Sequence, residues 1–257
     1  MYPKGQKHMS RKSSKCSGFT LIELAIVLVI SGMLMAGFLQ AYSVRLQQQK
    51  WQKTQENLAA TQAALEAFVR RNRRLPCPAL DYLNYTDPEY QQEASCNDNT
   101  LSEKILVLRS NDGKEVFFGK VPSRTLGISE NLARDGWKNH LNYAVTRSAT
   151  VDSGWNSGNP YSQGAIKILN GSRLDILDPP AIYVLLSYGV NNQGMSMSAD
   201  GKITVCSSTS LEEENCDADS VFIQAPYSQG AGEGYYDDFV IHDRNVTYQG
   251  DSTLVET

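Results

Sequence analysis

Residues 19–39 read FTLIELAIVLVISGMLMAGFL, and 16 of these 21 residues are Ala, Val, Ile, Leu, Met or Phe. A helix needs about 20 apolar residues to cross one bilayer, so the run has the length of a single crossing. A secretory signal would carry a shorter apolar run, roughly 7 to 15 residues, with small residues at a cleavage site behind it. Here the run continues into Gln40, Tyr42, Arg45 and Gln47 without such a site, so the segment is expected to stay with the chain. One side chain interrupts the pattern. Glu23 lies near the start of the stretch, and a carboxylate in hydrocarbon costs roughly 2.5 to 3.5 kcal/mol, less near the interface. A cost of that size calls for a partner. Cleavage between Gly18 and Phe19 would put a new α-amino group one helical turn from Glu23, or within reach of the Glu23 of a neighbouring molecule. The two charges would then neutralise each other and set the axial register of packed helices. The alternative is a plain single-pass anchor whose Glu23 sits idle among the headgroups.

Charge is segregated along the chain. The 257 residues carry a net −4, but residues 1–18 hold five bases and no acid, residues 19–80 a net +4, and residues 81–257 a net −13. A basic tip, an apolar run and an acidic bulk describe a chain that changes environment along its length, not a uniform cytosolic enzyme. With 41% hydrophobic and 20% charged residues, a disordered or collagen-like chain is excluded. Positive-inside bias orients the segment only weakly, because Arg45, Lys50 and Lys53 follow it.

No Pro or Gly occurs between Gly37 and Pro76, and the residues between are good helix formers, so one helix from about Phe19 to about Asn72 is predicted. Val44, Trp51, Leu58 and Leu65 recur every seven residues, with Thr54, Thr61 and Phe68 three positions further on. Such a stripe needs a partner surface. A coiled coil would share the spacing, but Thr twice at the second core position is poor for a zipper, so packing on a sheet of the same chain is favoured. Arg70, Arg71, Arg73 and Arg74 close the helix before Leu75-Pro76-Cys77-Pro78. They suit the dipole of a helix C-terminus and an acidic domain behind it better than a nucleic-acid patch, so nucleic acid is not expected as a partner.

The residues Gly18-Phe19-Thr20-Leu21-Ile22-Glu23-Leu24, behind a short basic leader, resemble the prepilin processing motif of type IV pilins and type II secretion pseudopilins. The resemblance implies that a prepilin peptidase cuts between Gly18 and Phe19, that Phe19 is N-methylated, and that Glu23 guides assembly into a filament. It also implies other pilin or pseudopilin subunits and an inner-membrane assembly platform as partners. The helix-kinking proline common in major pilins has no counterpart here.

Beyond Pro78, short β-branched and aromatic runs alternate with turn signals. Candidate strands are 105–109, 115–118, 140–146, 165–169, 182–187, 202–206, 221–224 and 239–242, with Asn111-Asp112-Gly113 as a hairpin-like turn. The expected class is α+β, a long N-terminal helix packed by its second half on a C-terminal antiparallel sheet, which is pilin-like. Three segments extend the resemblance toward the major pseudopilin: Asp135 to Tyr143, Leu186 to Gly194, and Gly234 to Ile241, interrupted by an insertion from about Met195 to Gln229. In that pseudopilin the last two segments hold calcium. Here Asn191 and Asn192 replace the expected aspartate and glycine, leaving Asp237 or Asp238 as the one clear anionic donor, a weak site for an ion that wants six to eight oxygens. The competing expectation is that both aspartates are solvated or paired with a base.

Cys16 falls in the leader, leaving Cys77, Cys96, Cys206 and Cys216, an even number that fits two disulfides in an oxidising periplasm. Loop closure favours Cys77 with Cys96 and Cys206 with Cys216. Zinc is disfavoured, since no Cys-x-x-Cys occurs and His140 and His242 are far from the cysteines in sequence. No Gly-x-Ser-x-Gly, His-Glu-x-x-His or phosphate loop is present, so no enzyme is expected. Glu212-Glu213-Glu214 and Asp237-Asp238 read as solvated surface. The expected organisation is a removed leader (1–18), a transmembrane and assembly half-helix (19–40), an amphipathic half-helix (41–75) and a β-rich periplasmic head (76–257). This describes a single-pass protein of the bacterial inner membrane that enters a pilus or pseudopilus. A membrane-anchored binding module for a secreted substrate, a surface or DNA is the other reading.

Overall fold

A computed structural model of the protein describes residues 18, 20–96, 105–151, 164–206, 210–230 and 232–244, apart from the side chains of 36–41 and 233. The chain divides into two compact units, residues 1–47 and 48–257. Helix α1 runs over Leu21–Asn72, close to the predicted span. In the first unit its apolar side chains from Leu21 to Met35 are exposed. Among the described residues no helix is long and apolar enough to cross a membrane, and the side chains of 36–41, at the end of the apolar run and just beyond it, lie outside the description.

The helix stops where Arg73 turns to a φ of 54°. The Arg73 N–H still donates to the Val69 carbonyl (2.8 Å) and the Leu75 N–H passes to Ala149 (2.8 Å). A left-handed residue just past the last turn satisfies orphan carbonyls there, and Pro76 prevents continuation.

Eleven strands follow among the described residues: β1 Leu106–Arg109, β2 Glu115–Lys120, β3 Asn142–Thr146, β4 Lys167–Asn170, β5 Tyr183–Ser187, β6 Ser196–Met197, β7 Ile203–Thr204, β8 Val221–Gln224, β9 Ser228–Gln229, β10 Tyr235–Tyr236 and β11 Phe239–Asp243. β1, β2, β3, β5 and β11 form one sheet in the order β1-β2-β3-β5-β11, antiparallel throughout. The fold is α+β and pilin-like. β1 and β2 are joined through Ser110–Lys114, with Gly113 at a φ of 79° and its N–H on Ser110 O (2.9 Å), a longer loop than a two-residue hairpin. β4 and β8 stand apart as a parallel pair, which the expectation of an antiparallel sheet did not include. The long connection between them supplies the crossover that parallel pairing requires.

Both faces of the sheet are covered. Phe117, Tyr143, Val145, Tyr183, Leu185 and Phe239 pack with Leu58, Leu65 and Phe68 of α1. The alternate residues Val116, Phe118, Ala144, Val184, Leu186 and Val240 pack with Ile166, Ile168, Met195, Cys216 and Phe222. Because side chains alternate between faces, a strand between two cores is apolar at nearly every position, and every residue of β3 and β5 is buried.

The predicted stripe of α1 is the buried one: Leu58, Leu65, Phe68, Thr54 and Thr61 are all nearly sealed, whereas Val44 is exposed. Thr54 and Thr61 of the stripe, together with Asn57 beside it, dock on the loop before β3. Gly136 N–H donates to Thr54 Oγ1 (2.9 Å), Asn57 Nδ2 donates to the carbonyls of Asn131 (2.9 Å) and Arg134 (2.5 Å), and Thr61 Oγ1 donates to Leu132 O (3.2 Å). The threonines are therefore attachment points for a loop backbone.

Candidate functional site

The first group of residues opens α1. Gly18 is exposed, while Phe19 and residues 1–17, including Cys16, lie outside the described residues. The Glu23 carboxylate accepts from the Thr20 backbone N–H (2.8 Å) and hydroxyl (2.9 Å), and the Glu23 N–H reaches back to Thr20 Oγ1 (3.3 Å). This reciprocal pair is a capping box, which satisfies donors that a helix start leaves orphaned. Within one chain, Glu23 thus has a partner of its own, signalled in the sequence by the Thr-x-x-Glu spacing.

The second group lies in the head, where three segments converge: the loop after β5, the 3-10 helix Leu211–Asn215, and the residues between β10 and β11. Asp237 and Asp238 are buried, as is Glu212 at 1% exposure. This overturns the expectation of solvated acids for Asp237, Asp238 and Glu212, whereas Glu213 is exposed as expected. One oxygen from each of the three carboxylates lies within 4.8 Å of the others. Asp237 Oδ2 accepts from the N–H groups of Val190 (2.8 Å) and Asn191 (3.3 Å) and from Tyr235 OH (2.8 Å). Glu212 Oε1 accepts from Asp237 N–H (2.6 Å) and Oε2 from Asn191 Nδ2 (2.7 Å). Asp238 Oδ2 accepts from Asn215 Nδ2 (2.7 Å). Gly189, at a φ of 56°, lets the loop lie against this acid: a Cβ there would stand 2.7 Å from Asp237 Oδ1.

Two oxygens are left over. Asp237 Oδ1 and Asp238 Oδ1 are buried and find no hydrogen-bond partner, and among the described residues neither acid makes an ion pair with Lys or Arg. Burial, then the neighbouring Asp237, pushes the Glu212 carboxyl up to about 7. Burial, then the Glu212 charge, pushes Asp238 well above the usual carboxylate range. Crowded carboxylates in a poor dielectric must take up protons or a cation. Oxygens around one calcium ion, each about 2.3 to 2.6 Å from it, stand up to about 5 Å apart, so the separation here fits a shared calcium. The sequence named Asp237 and Asp238 but missed Glu212, whose place depends on how the insertion folds back.

The cysteines pair as Cys77 with Cys96 (Cα to Cα 6.1 Å) and Cys206 with Cys216 (5.7 Å). The first ties the exit of α1 to the following loop. The second closes a ring that contains Glu212 and Asn215. Of the terminal arginines, Arg74 pairs with Glu93 and Arg70 with Glu66, both intramolecular ion pairs.

A protein-family description, the prokaryotic N-terminal methylation motif, matches residues 13–39. That motif is the hallmark of type IV pilins and pseudopilins, and it supports a type IV pilin-like or pseudopilin subunit. No curated protein and no solved structure matches the chain.

Proposed function

We propose that the chain is a structural subunit of a type II secretion pseudopilus or a type IV pilus. It is inserted as a single pass with its basic leader in the cytoplasm and its head in the periplasm, cut between Gly18 and Phe19, N-methylated on Phe19, and assembled through the apolar face of α1 with Glu23 as the register-setting charge. The observation that carries this reading is the methylation motif over 13–39 leading straight into α1 with Glu23 in its first turn. The large insertion suits a minor, tip or priming position better than the most abundant one. Asp237 and Asp238 hold a calcium ion against the loop after β5, a reading supported by their two unpartnered buried oxygens. When bound, the ion would supply positive charge to the buried carboxylates, while Gly189 and the N–H groups of Val190 and Asn191 position the Asp237 carboxylate.

Mass spectrometry of the protein recovered from cells with a prepilin peptidase tests the processing: the expected N-terminus is methylated Phe19, and an uncut N-terminus overturns the reading. Glu23→Ala should abolish incorporation into the filament while the protein stays in the membrane. A membrane-anchored binding module, the competing reading, would be indifferent to that change.

A further inference from the structure

We infer that Glu212 completes the cation site of Asp237 and Asp238 as a third carboxylate ligand, and that the Cys206–Cys216 disulfide holds it there, so that cation affinity depends on that disulfide. The inference rests on the cation reading above and adds to it a ligand from the insertion and a redox condition.

The geometry carries the first half. Glu212 is buried, and one of its oxygens lies within 4.8 Å of one from each aspartate. The two remaining acceptors, Asp237 Oδ1 and Asp238 Oδ1, have no donor, although each sits in a pocket otherwise rich in hydrogen bonds. A buried acceptor without a partner is costly, and a shared cation answers two such acceptors and three negative charges at once. Three carboxylates and the oxygen chemistry around them suit calcium, which tolerates irregular, carboxylate-rich shells, better than magnesium, which demands near-octahedral geometry and keeps its waters.

Connectivity carries the second half. Ser210 Oγ accepts from the Glu212 N–H (3.3 Å) and starts the 3-10 helix Leu211–Asn215, which ends at Cys216. Cys216 is disulfide-bonded to Cys206 across a separation of 10 residues. Both side chains that this segment sends to the cluster, Glu212 and Asn215, are members of the closed ring. The sulfurs lie against the Glu212 backbone, with its carbonyl 3.4 Å from Cys216 Sγ and 3.9 Å from Cys206 Sγ. A five-residue 3-10 segment has little stability of its own, and opening the ring frees the segment to move the carboxylate away. Closure is a thiol–disulfide exchange. The Cys206 and Cys216 thiols give two electrons and two protons to an external disulfide oxidant, which leaves as a dithiol, and one S–S bond forms in the protein.

The test uses the full-length protein in detergent, stripped with chelator and titrated with calcium alone or magnesium alone by calorimetry. Wild type should bind one calcium and bind magnesium at least ten-fold more weakly. Glu212→Gln should weaken calcium at least ten-fold. The double variant Cys206→Ser with Cys216→Ser should do likewise, while Cys77→Ser with Cys96→Ser should stay within about two-fold. Because coupling is reciprocal, calcium should slow reduction of Cys206–Cys216 by dithiothreitol in the wild-type protein, read by thiol labelling and peptide mapping. This second readout needs no variant to fold. No calcium binding by wild type overturns the cation reading itself. Wild-type affinity in Glu212→Gln removes Glu212 from the ligand set. Calcium binding that ignores the 206–216 disulfide, together with reduction that ignores calcium, overturns the coupling alone.

Discussion

Arg74 and Glu93 meet fork to fork: Nη1 lies 2.7 Å from Oε2 and Nη2 2.8 Å from Oε1, and Oε2 also accepts from the Cys77 N–H (3.1 Å). The pair therefore ties the end of α1 to the loop that the Cys77–Cys96 bridge closes. Each side chain is about three-quarters covered, at 25% and 23% exposure. Bidentate geometry and partial burial make such a pair stronger than an open surface ion pair. Arg74→Ala should lower the stability of the head by about 1 to 3 kcal/mol, and a double-mutant cycle with Glu93→Gln should return a coupling of about 1 kcal/mol or more. Additive single effects in urea denaturation would mean that the fork contributes nothing.

Gly136 lies on the backbone of α1. A Cβ at this position would fall 2.0 Å from Lys50 O and 2.6 Å from Lys50 Cα, and neither atom belongs to a flexible side chain. Gly136→Ala should therefore cost about 3 kcal/mol or more by pushing the helix off the loop. Gly234→Ala, where nothing lies within 4 Å, should change the melting temperature little. A Gly136→Ala protein that melts with wild type would place the close approach in doubt.

Thr54 separates two accounts of the helix stripe. Its hydroxyl donates to Lys50 O (2.9 Å) and accepts from the Gly136 N–H (2.9 Å), and the residue is sealed from solvent. If the stripe were a zipper seam, Thr54→Val would stabilise it. Docked on a loop, the same change strands the half-buried Gly136 N–H and should cost about 1 kcal/mol or more. Thermal denaturation of Thr54→Val and Thr54→Ser decides by sign, with the serine variant expected near wild type.

Much of the architecture was legible because it rests on period and punctuation. The helix span follows from an unbroken run between Gly37 and Pro76, and all eight candidate strands occur within a few residues of their predicted bounds. Tyr143 to Val145 of β3 and Tyr183 to Leu186 of β5 read as continuous apolar runs because both faces of the strands are covered. What escaped were pairings made by segments too short to carry a period, such as β6 with β7 and β9 with β10, and the parallel partnership of β4 and β8, which depends on a crossover that no local pattern encodes.

The site was legible in part, for a related reason. Asp237 and Asp238 stand out as adjacent acids in a segment that resembles the terminal strand of the major pseudopilin. Glu212 does not, since a run of three glutamates in an acidic domain is ordinarily solvated, and Glu213 beside it is indeed exposed. The 3-10 helix turns only the first of the three inward, toward Asp237 N–H and Asn191. That choice is made by ring closure and by the Ser210 cap, neither of which is visible as hydrophobic patterning.

His140 sets a pH dependence for the head. Burial, followed by the charges of Arg134 and Lys120, holds its imidazole down at about 4, against the opposing pull of Glu130 and Asp81. Tyr90 OH lies 3.3 Å from its Nε2. Unfolded, the same imidazole takes its proton near pH 6.5. Between these values the unfolded chain binds a proton that the folded chain refuses, so the contribution is whole above about pH 6.5, falls as the pH drops, and is gone below about 4. The full shift corresponds to about 3 kcal/mol, and with 22% of the side chain open to solvent the expected loss is nearer 2 kcal/mol. Buried carboxylates titrate in overlapping ranges, so the measurement is a difference: urea denaturation of wild type and His140→Gln across pH 4 to 7.5. The stability gap between them should shift in favour of His140→Gln by about 2 kcal/mol from the top of that range to the bottom, and a gap independent of pH would remove His140 as the cause.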